Sequence, residues 1–388
     1  MLLDIQEALQ IGKAMIAEGK LQLDVIWDGK QITGVSIRSS RPLAACRILE
    51  GKPAAEAVRL VPLLFSVCGR AQGAAAAAAC EAARGVAPND VERVARERAI
   101  AGECLQEYTW RLLIDLPALL GEAARPGELA DLRRRIATAR DELRWHDVAG
   151  AAEELLERAV YEMSPRVWLG LRPAAFEKWV ARGDAPMQRM LARLRTLRLG
   201  GDFGLLPWLE AADLGALSAR LEAEPDFAQR PDWQGEPAET GALARQLGHP
   251  VLAREVGQYG ATVAARLLAR LLELAQLPEQ LRQPQASGIR SASPRQGSGI
   301  PQGDFRRGVA AVETARGTLL HQVTLAGDRV AHYRIVAPTE WNFHPQGAFV
   351  RGLLGCPAKS ETEARGAAGL LAHALDPCVA YEVSVARA

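Results

Sequence analysis

Apolar residues recur at helical spacing along most of the chain. Ile5, Leu9, Ile11, Met15 and Ile16 predict an amphipathic helix over 4–18. LQLDVIW and QITGVSI then flank Asp28-Gly29, a dipeptide that accepts a tight turn, and predict a β-hairpin over 21–37. Pro53 can open a helix across AAEAVRLVPLLFSV, which Pro62 is expected to kink or break. Past Cys68-Gly69, the alanine run over 71–83 predicts a central, buried helix, because methyl side chains let other backbones approach closely. Long helical patterns follow at 90–120 and 129–158, and more helix at 173–197 and 251–275. Residues 283–303, rich in Ser, Pro, Gln and Gly, read as a flexible loop or linker. VAAVET (309–314), TLLHQVTL (318–325) and RVAHYRIV (329–336) are strand-like, with Gly327-Asp328 turning between the last two. A closing helix over 361–374 ends at Leu375-Asp376-Pro377-Cys378, with a short tail from Ser384 to Ala388. The expectation is an α+β protein, mainly α-helical. It forms a single domain over 1–388, with long central helices and a small peripheral β region.

Composition narrows the functional classes. Of 388 residues, 48% are hydrophobic and 24% charged, as in a soluble globular protein. A net charge of +1 gives no broad attraction to nucleic acid or anionic membrane. The segment MLLDIQEALQIGK carries acids early and does not read as a signal peptide, and 73–83 is too short to span a bilayer. A cytoplasmic protein without membrane insertion is expected, its six cysteines reduced and free for metal or redox chemistry. With neither GxGxxG nor a Walker loop, nucleotide chemistry is disfavoured.

Four local constellations can carry chemistry. They are Ser66-Val67-Cys68-Gly69-Arg70-Ala71, followed by Glu81; Glu313-Thr314-Ala315-Arg316-Gly317, with His321 close behind; Val336-Ala337-Pro338-Thr339-Glu340-Trp341-Asn342; and Asp376-Pro377-Cys378. Each alone has an ordinary structural reading. A cysteine beside glycine is a small buried hydrophobe, an arginine before glycine closes a loop, and Asp-Pro-Cys stops a helix.

In this order, however, the four resemble the large subunit of nickel–iron hydrogenases. That family carries Cys-Gly-x-Cys near its start and Asp-Pro-Cys-x-x-Cys near its end, four thiolates suited to nickel and low-spin iron. Cys68 and Cys378 fill the first position of each pair. The family's Glu-x-x-Arg-Gly looks like 313–317 and its Pro-Thr/Ser-x-Trp-Asn looks like 338–342. The resemblance implies that Arg316 leans over an iron and that Thr339 hydrogen-bonds a cyanide on it. Pro338, Ala315 and Asp376 would complete the cofactor-binding set. It covers 42–95 and 305–382.

The departures decide what the resemblance implies. Ala71 and Tyr381 stand where the two bridging cysteines belong, and Ala75 lies near the place of an expected histidine. Cys46 or Ala45 falls at the family's proton-relay glutamate, and Glu107 lies near a supporting acid. Glu81, Glu107, His321 and Cys46 are therefore supporting candidates. Two thiolates cannot build the four-sulfur dinuclear centre, so hydrogen turnover and nickel are not expected. This combination resembles the HupK/HoxV family of hydrogenase expression/formation proteins. The resemblance implies a non-enzymatic maturation scaffold whose Cys68 and Cys378 hold an Fe(CN)2CO unit transiently and pass it to the true large subunit. Its implied partners are that subunit and small HypC-type maturation chaperones. The alternative is a metal-free interaction protein that docks the chaperones. A thiol enzyme using Cys68 is disfavoured, because no base lies near it in sequence. The scaffold reading requires Cys68 and Cys378, 310 positions apart, to face one pocket.

Overall fold

β1 (Lys20–Trp27) and β2 (Ile32–Ser39) form the predicted antiparallel hairpin, with Leu21, Leu23 and Val25 buried at period two. The computed structural model describes residues 19–41, 43–201, 204–284, 288–293 and 305–388. The helix expected over 4–18 lies outside the described residues. After a 3-10 turn at Leu43–Leu49, α1 (Ala54–Leu64) accommodates Pro62 and ends two residues later. The chain then turns by 97° through Ser66–Cys68 into α2 (Gly69–Arg84). Pro62 thus sits just before the end of its helix instead of kinking it, because a proline two residues from the C-terminus removes little of the ladder.

α3 (Asp90–Trp110) starts at Asn89, whose side chain accepts the Glu92 N–H, and passes into a π-turn at Arg111–Asp115. The pattern over 129–158 divides into Ala130–Thr138 and α4 (Glu142–Leu156). That over 173–197 breaks at Gly183, whose positive φ ends Pro173–Arg182 before Pro186–Leu197 begins. α5 (Ala211–Ala223) leads through a looped stretch to Pro250–Tyr259, Gly260 and α6 (Val263–Arg282). α6 is buried on nearly every side and packs against α3 and α4, so the long central helices are as expected. No single helix among the described residues is long and apolar enough to cross a membrane.

β3 (Ile289–Ala292), β4 (Phe305–Thr314), β5 (Gly317–Ala326) and β6 (Arg329–Val336) make one antiparallel sheet in that order. β3 falls inside the segment read as a linker. Its Ile-Arg-Ser-Ala offers a single large apolar residue, and its order comes from pairing with Val309–Val312. The expectation of a peripheral β region also needs correction. Ala310, Val323 and Leu325 pack with Ala76, Ala79 and Ala83 of α2, while Val309, Ala311 and Leu320 pack with Leu214, Leu217 and Leu221 of α5. With both faces covered, β4 and β5 are buried along nearly their whole length, polar Thr318, His321, Gln322 and Thr324 included. The close approach of α2 depends on Gly308: a Cβ there would lie 2.0 Å from the Ala79 carbonyl oxygen and 2.4 Å from the Ala83 nitrogen.

α7 (Pro338–Asn342) follows β6, and α8 (Glu361–Leu375) ends at Asp376, in the left-handed region with φ 51°. The expected tail is instead β7 (Ala380–Arg387), parallel to β1 from Lys20↔Ala380 to Trp27↔Arg387. Its partner lies more than 350 positions away, so no local turn announces it. The three-stranded sheet β2-β1-β7 is the peripheral one.

Candidate functional site

The pairing of β1 with β7 brings the two ends of the described chain together. Cys68, in the turn before α2, and Cys378, in the link between α8 and β7, border one cavity of about 380 Å³. Cys46 borders it too, with Arg41, Gln72, Ala337 and Glu340. Both motif sulfurs are largely shielded, Cys68 being 6% and Cys378 9% exposed.

Each cysteine is held by neighbours on different elements. The Thr339 hydroxyl in α7 donates to the Cys378 sulfur at 3.0 Å and accepts the Cys378 N–H at 3.0 Å. Pro338 opens that turn and fixes its φ, while the adjoining Ala337 borders the cavity. Gln72, one helical turn after Cys68, donates to its sulfur at 3.5 Å. The Gln72 oxygen accepts from His321 Nε2 at 2.8 Å, and His321 Nδ1 accepts from the Tyr333 hydroxyl at 2.8 Å. Burial pushes His321 down to about 3, so the ring is neutral and its tautomer follows from these two bonds. His321 therefore reaches Cys68 through Gln72.

The Glu103 carboxylate on α3 receives the backbone N–H groups of Arg70 (2.7 Å) and Ala71 (3.2 Å), closing the first turn of α2. Burial pushes Glu103 up to about 7 against the pull of those two N–H groups. Burial, with Glu103 and Cys378 nearby, pushes the Cys68 thiol up to about 12, and burial does the same for Cys46. Without a metal, these two sulfurs are thiols at neutral pH.

Arg316 sits at the tip of the β4–β5 hairpin, where Thr314 Oγ1 accepts the N–H groups of Arg316 and Gly317. Gly317 is required there: its φ is +132°, and a Cβ would meet Thr240 Cγ2 at 2.4 Å. The Arg316 guanidinium donates to Glu107 at 2.6 Å and approaches Asp376 at 3.4 Å. It lies within electrostatic reach of Cys68 and Cys378 but does not border the cavity. Asp376 is 1% exposed, with Arg111 at 2.9 Å and Arg270 at 3.9 Å completing a ring of three guanidiniums. Burial would raise its pKa, but Arg316, Arg111 and Arg270 hold the carboxyl well below the usual range. Asn342 ties the pieces together, accepting the Thr240 N–H and donating to the carbonyls of Arg316 and Leu375.

Two expected members lie elsewhere. Ala315 borders a separate polar cavity of about 20 Å³, with Arg266, Arg270 and Asn342. Glu81 follows Cys68 by 13 positions, about 20 Å along a helix, and pairs with Arg96 of α3 at 2.6 and 2.8 Å. Its role is to join helices. Ala71, in place of a bridging cysteine, is fully buried; Tyr381, in place of the other, pairs with Leu21 in the sheet. Arg41, Gln72 and Glu103 were not singled out in sequence. Only Gln72 carried a usable signal, its spacing of four from Cys68.

Two sulfurs and the Arg41 guanidinium border the cavity, and the Thr339 hydroxyl contacts one of the sulfurs, a donor set that suits a small soft metal fragment with anionic ligands. It does not suit a four-sulfur dinuclear centre. Among the described residues, no three His, Cys, Asp or Glu side chains are grouped as a single ion would need.

The architecture around this cavity is that of the nickel–iron hydrogenase large subunit. A family profile described as nickel-dependent hydrogenase matches residues 220–384. A solved [NiFeSe]-hydrogenase of Desulfomicrobium baculatum superposes with a TM-score of 0.63 at 17% identity, over 91% of this chain and 94% of that one. Within that class, the curated hydrogenase expression/formation protein HupK of Rhizobium leguminosarum bv. viciae is 32% identical over 96% of this chain and 98% of its own length. HoxV of Cupriavidus necator, of the same description, is 34% identical over 92% and 94%. The chain belongs to the HupK/HoxV family of hydrogenase expression/formation proteins.

Proposed function

We propose that this protein is a non-enzymatic maturation scaffold. It holds an Fe(CN)2CO unit transiently between Cys68 and Cys378 and yields it to the large subunit of a nickel–iron hydrogenase. The observation that carries this reading is that one sulfur from each end of the fold borders a single cavity, with the Thr339 hydroxyl 3.0 Å from one of them. The unit is cargo. Cyanide nitrogens on iron are anionic acceptors that need donors when removed from water, and thiolates are strong ligands for such iron. Thr339 supplies a donor at Cys378, and Arg316 supplies positive potential beneath both sulfurs. Loading requires the thiols to lose their protons, which makes capture pH-dependent. With Ala71 and Tyr381 replacing bridging thiolates, nickel has no seat, hydrogen is not turned over, and the cargo has fewer bonds to break on leaving. HypC-type chaperones are the proposed docking partners on the delivery side.

Infrared spectroscopy of protein purified under argon from cells that make the unit tests this. Carbonyl and cyanide stretching bands are expected, and are lost in Cys68→Ser and in Cys378→Ser. The lack of a three-ligand group among the described residues favours a second reading, a metal-free docking protein for the same chaperones. Wild-type protein without bands that still captures the chaperones would establish that reading instead.

A further inference from the structure

The motif arginine is not among the cations that border the cavity. Arg316 is committed to Glu107 and Asp376, whereas Arg41, Arg47 and Arg334 border the cavity, and Arg41 is the one within electrostatic reach of the sulfurs. Arg41 follows β2, and its side chain is only 15% exposed. Glu340 grips its Nη1 with both oxygens, at 2.8 and 3.0 Å. Among the described residues, that is its one ion pair, which leaves Nε and Nη2 of the fork for an anion. The sulfurs of Cys378, Cys68 and Cys46 all lie within electrostatic reach of this guanidinium. Thr339 and Glu340 are adjacent, so one turn of α7 sets the hydroxyl on Cys378 and the carboxylate on Arg41.

We propose that Arg41 recognises the anionic end of the cargo and makes the cavity selective for soft metal cyanide anions over neutral metal complexes. The assignment rests on the scaffold reading for the identity of the cargo, but the chemistry it names is separable. Glu340 holds Nη1 and positions the guanidinium at the cavity wall, so an incoming anion meets a fixed fork there. A metal-bound cyanide nitrogen can then take a charge-assisted hydrogen bond from the free edge of the fork.

Dicyanoaurate(I), a soft metal cyanide anion, is a probe that needs no maturation machinery. Calorimetric titration of the full-length wild-type protein, Arg41→Gln, Arg41→Lys and Glu340→Gln under argon separates the roles. Arg41→Gln is expected to weaken binding by about tenfold or more, the scale of one lost charged hydrogen bond, and Arg41→Lys to lose less. Glu340→Gln frees Nη1 and removes the competing carboxylate, so binding tightens, a direction that structural damage would not produce. Equal affinity of wild type and Arg41→Gln, or unchanged or weaker binding in Glu340→Gln, overturns the assignment. Should Arg41→Gln fail to fold, by circular dichroism, Arg41→Lys and Glu340→Gln decide it. Failure of the scaffold reading shows separately, as wild-type protein lacking carbonyl and cyanide bands while the gold titration still distinguishes the variants.

Discussion

The Thr339 hydroxyl and the Cys378 sulfur lie 3.0 Å apart, and the same oxygen accepts the Cys378 backbone N–H. One hydroxyl therefore fixes both the position of the thiol and the peptide that carries it. Thr339→Val keeps the shape but leaves that N–H buried without a partner, at a cost of about 1–3 kcal/mol. Thr339→Ser retains most of the stability. Urea denaturation of the two variants checks this, and equal midpoints would show that the hydroxyl contributes nothing.

Asp376 is the counter-charge of three buried arginines. Asp376→Asn leaves Arg111, Arg270 and Arg316 with a missing partner, and breaking such a cluster costs about 3–5 kcal/mol. Thermal melts should place this variant below Glu81→Gln, which weakens a single bidentate ion pair whose side chains are 22% and 20% exposed and leaves a neutral hydrogen-bond partner for Arg96.

Gly308→Ala puts a methyl group into the backbone of α2. Overpacking of this kind costs about 1–3 kcal/mol, and the contact here is with backbone that has no rotamer to move. Gly127→Ala is the control, since nothing lies within 4 Å of a Cβ there and its φ is not in the left-handed region. A melt in which Gly308→Ala matches Gly127→Ala would contradict the close approach of α2 to β4.

Acid should unfold the protein partly through His321. Its ring titrates near 6.5 when unfolded and near 3 when buried, so the unfolded state binds the extra proton between those values. The stability it contributes is complete above pH 6.5 and falls as pH drops, by roughly 2 kcal/mol at pH 5. Glu103 has the opposite sign: raised to about 7, it favours the folded state as pH falls below 7. His321→Gln isolates the histidine. Its stability between pH 7 and pH 5 should fall less than that of wild type by about 2 kcal/mol.

Much of this was legible in the sequence, for physical reasons specific to each part. The β1–β2 hairpin, the alanine helix and the β4–β6 meander are local patterns with their own turns, and they stand where periodicity puts them. β3 and β7 were not, because each depends on a partner strand that local reading does not reach. The motif cysteines were found because they keep the family's order along the chain. Arg41 and Glu103 escaped because nothing in their own neighbourhoods marks them: one meets Glu340 across 299 positions, and the other caps a helix 33 positions away. Glu81 was chosen for nearness in sequence to Cys68, and the helix carried it away.

The alanine helix also settles where the binding chamber can yield. Its alanines have no side-chain torsions to adjust, and its main chain rests on Gly308, so the helix that follows Cys68 behaves as an anvil. Arg47 and Glu50 on the same cavity have long stems that can swing, whereas Arg41 is held by Glu340. A guest of unfamiliar bulk is met by movement of those stems, while the first sulfur keeps its aim.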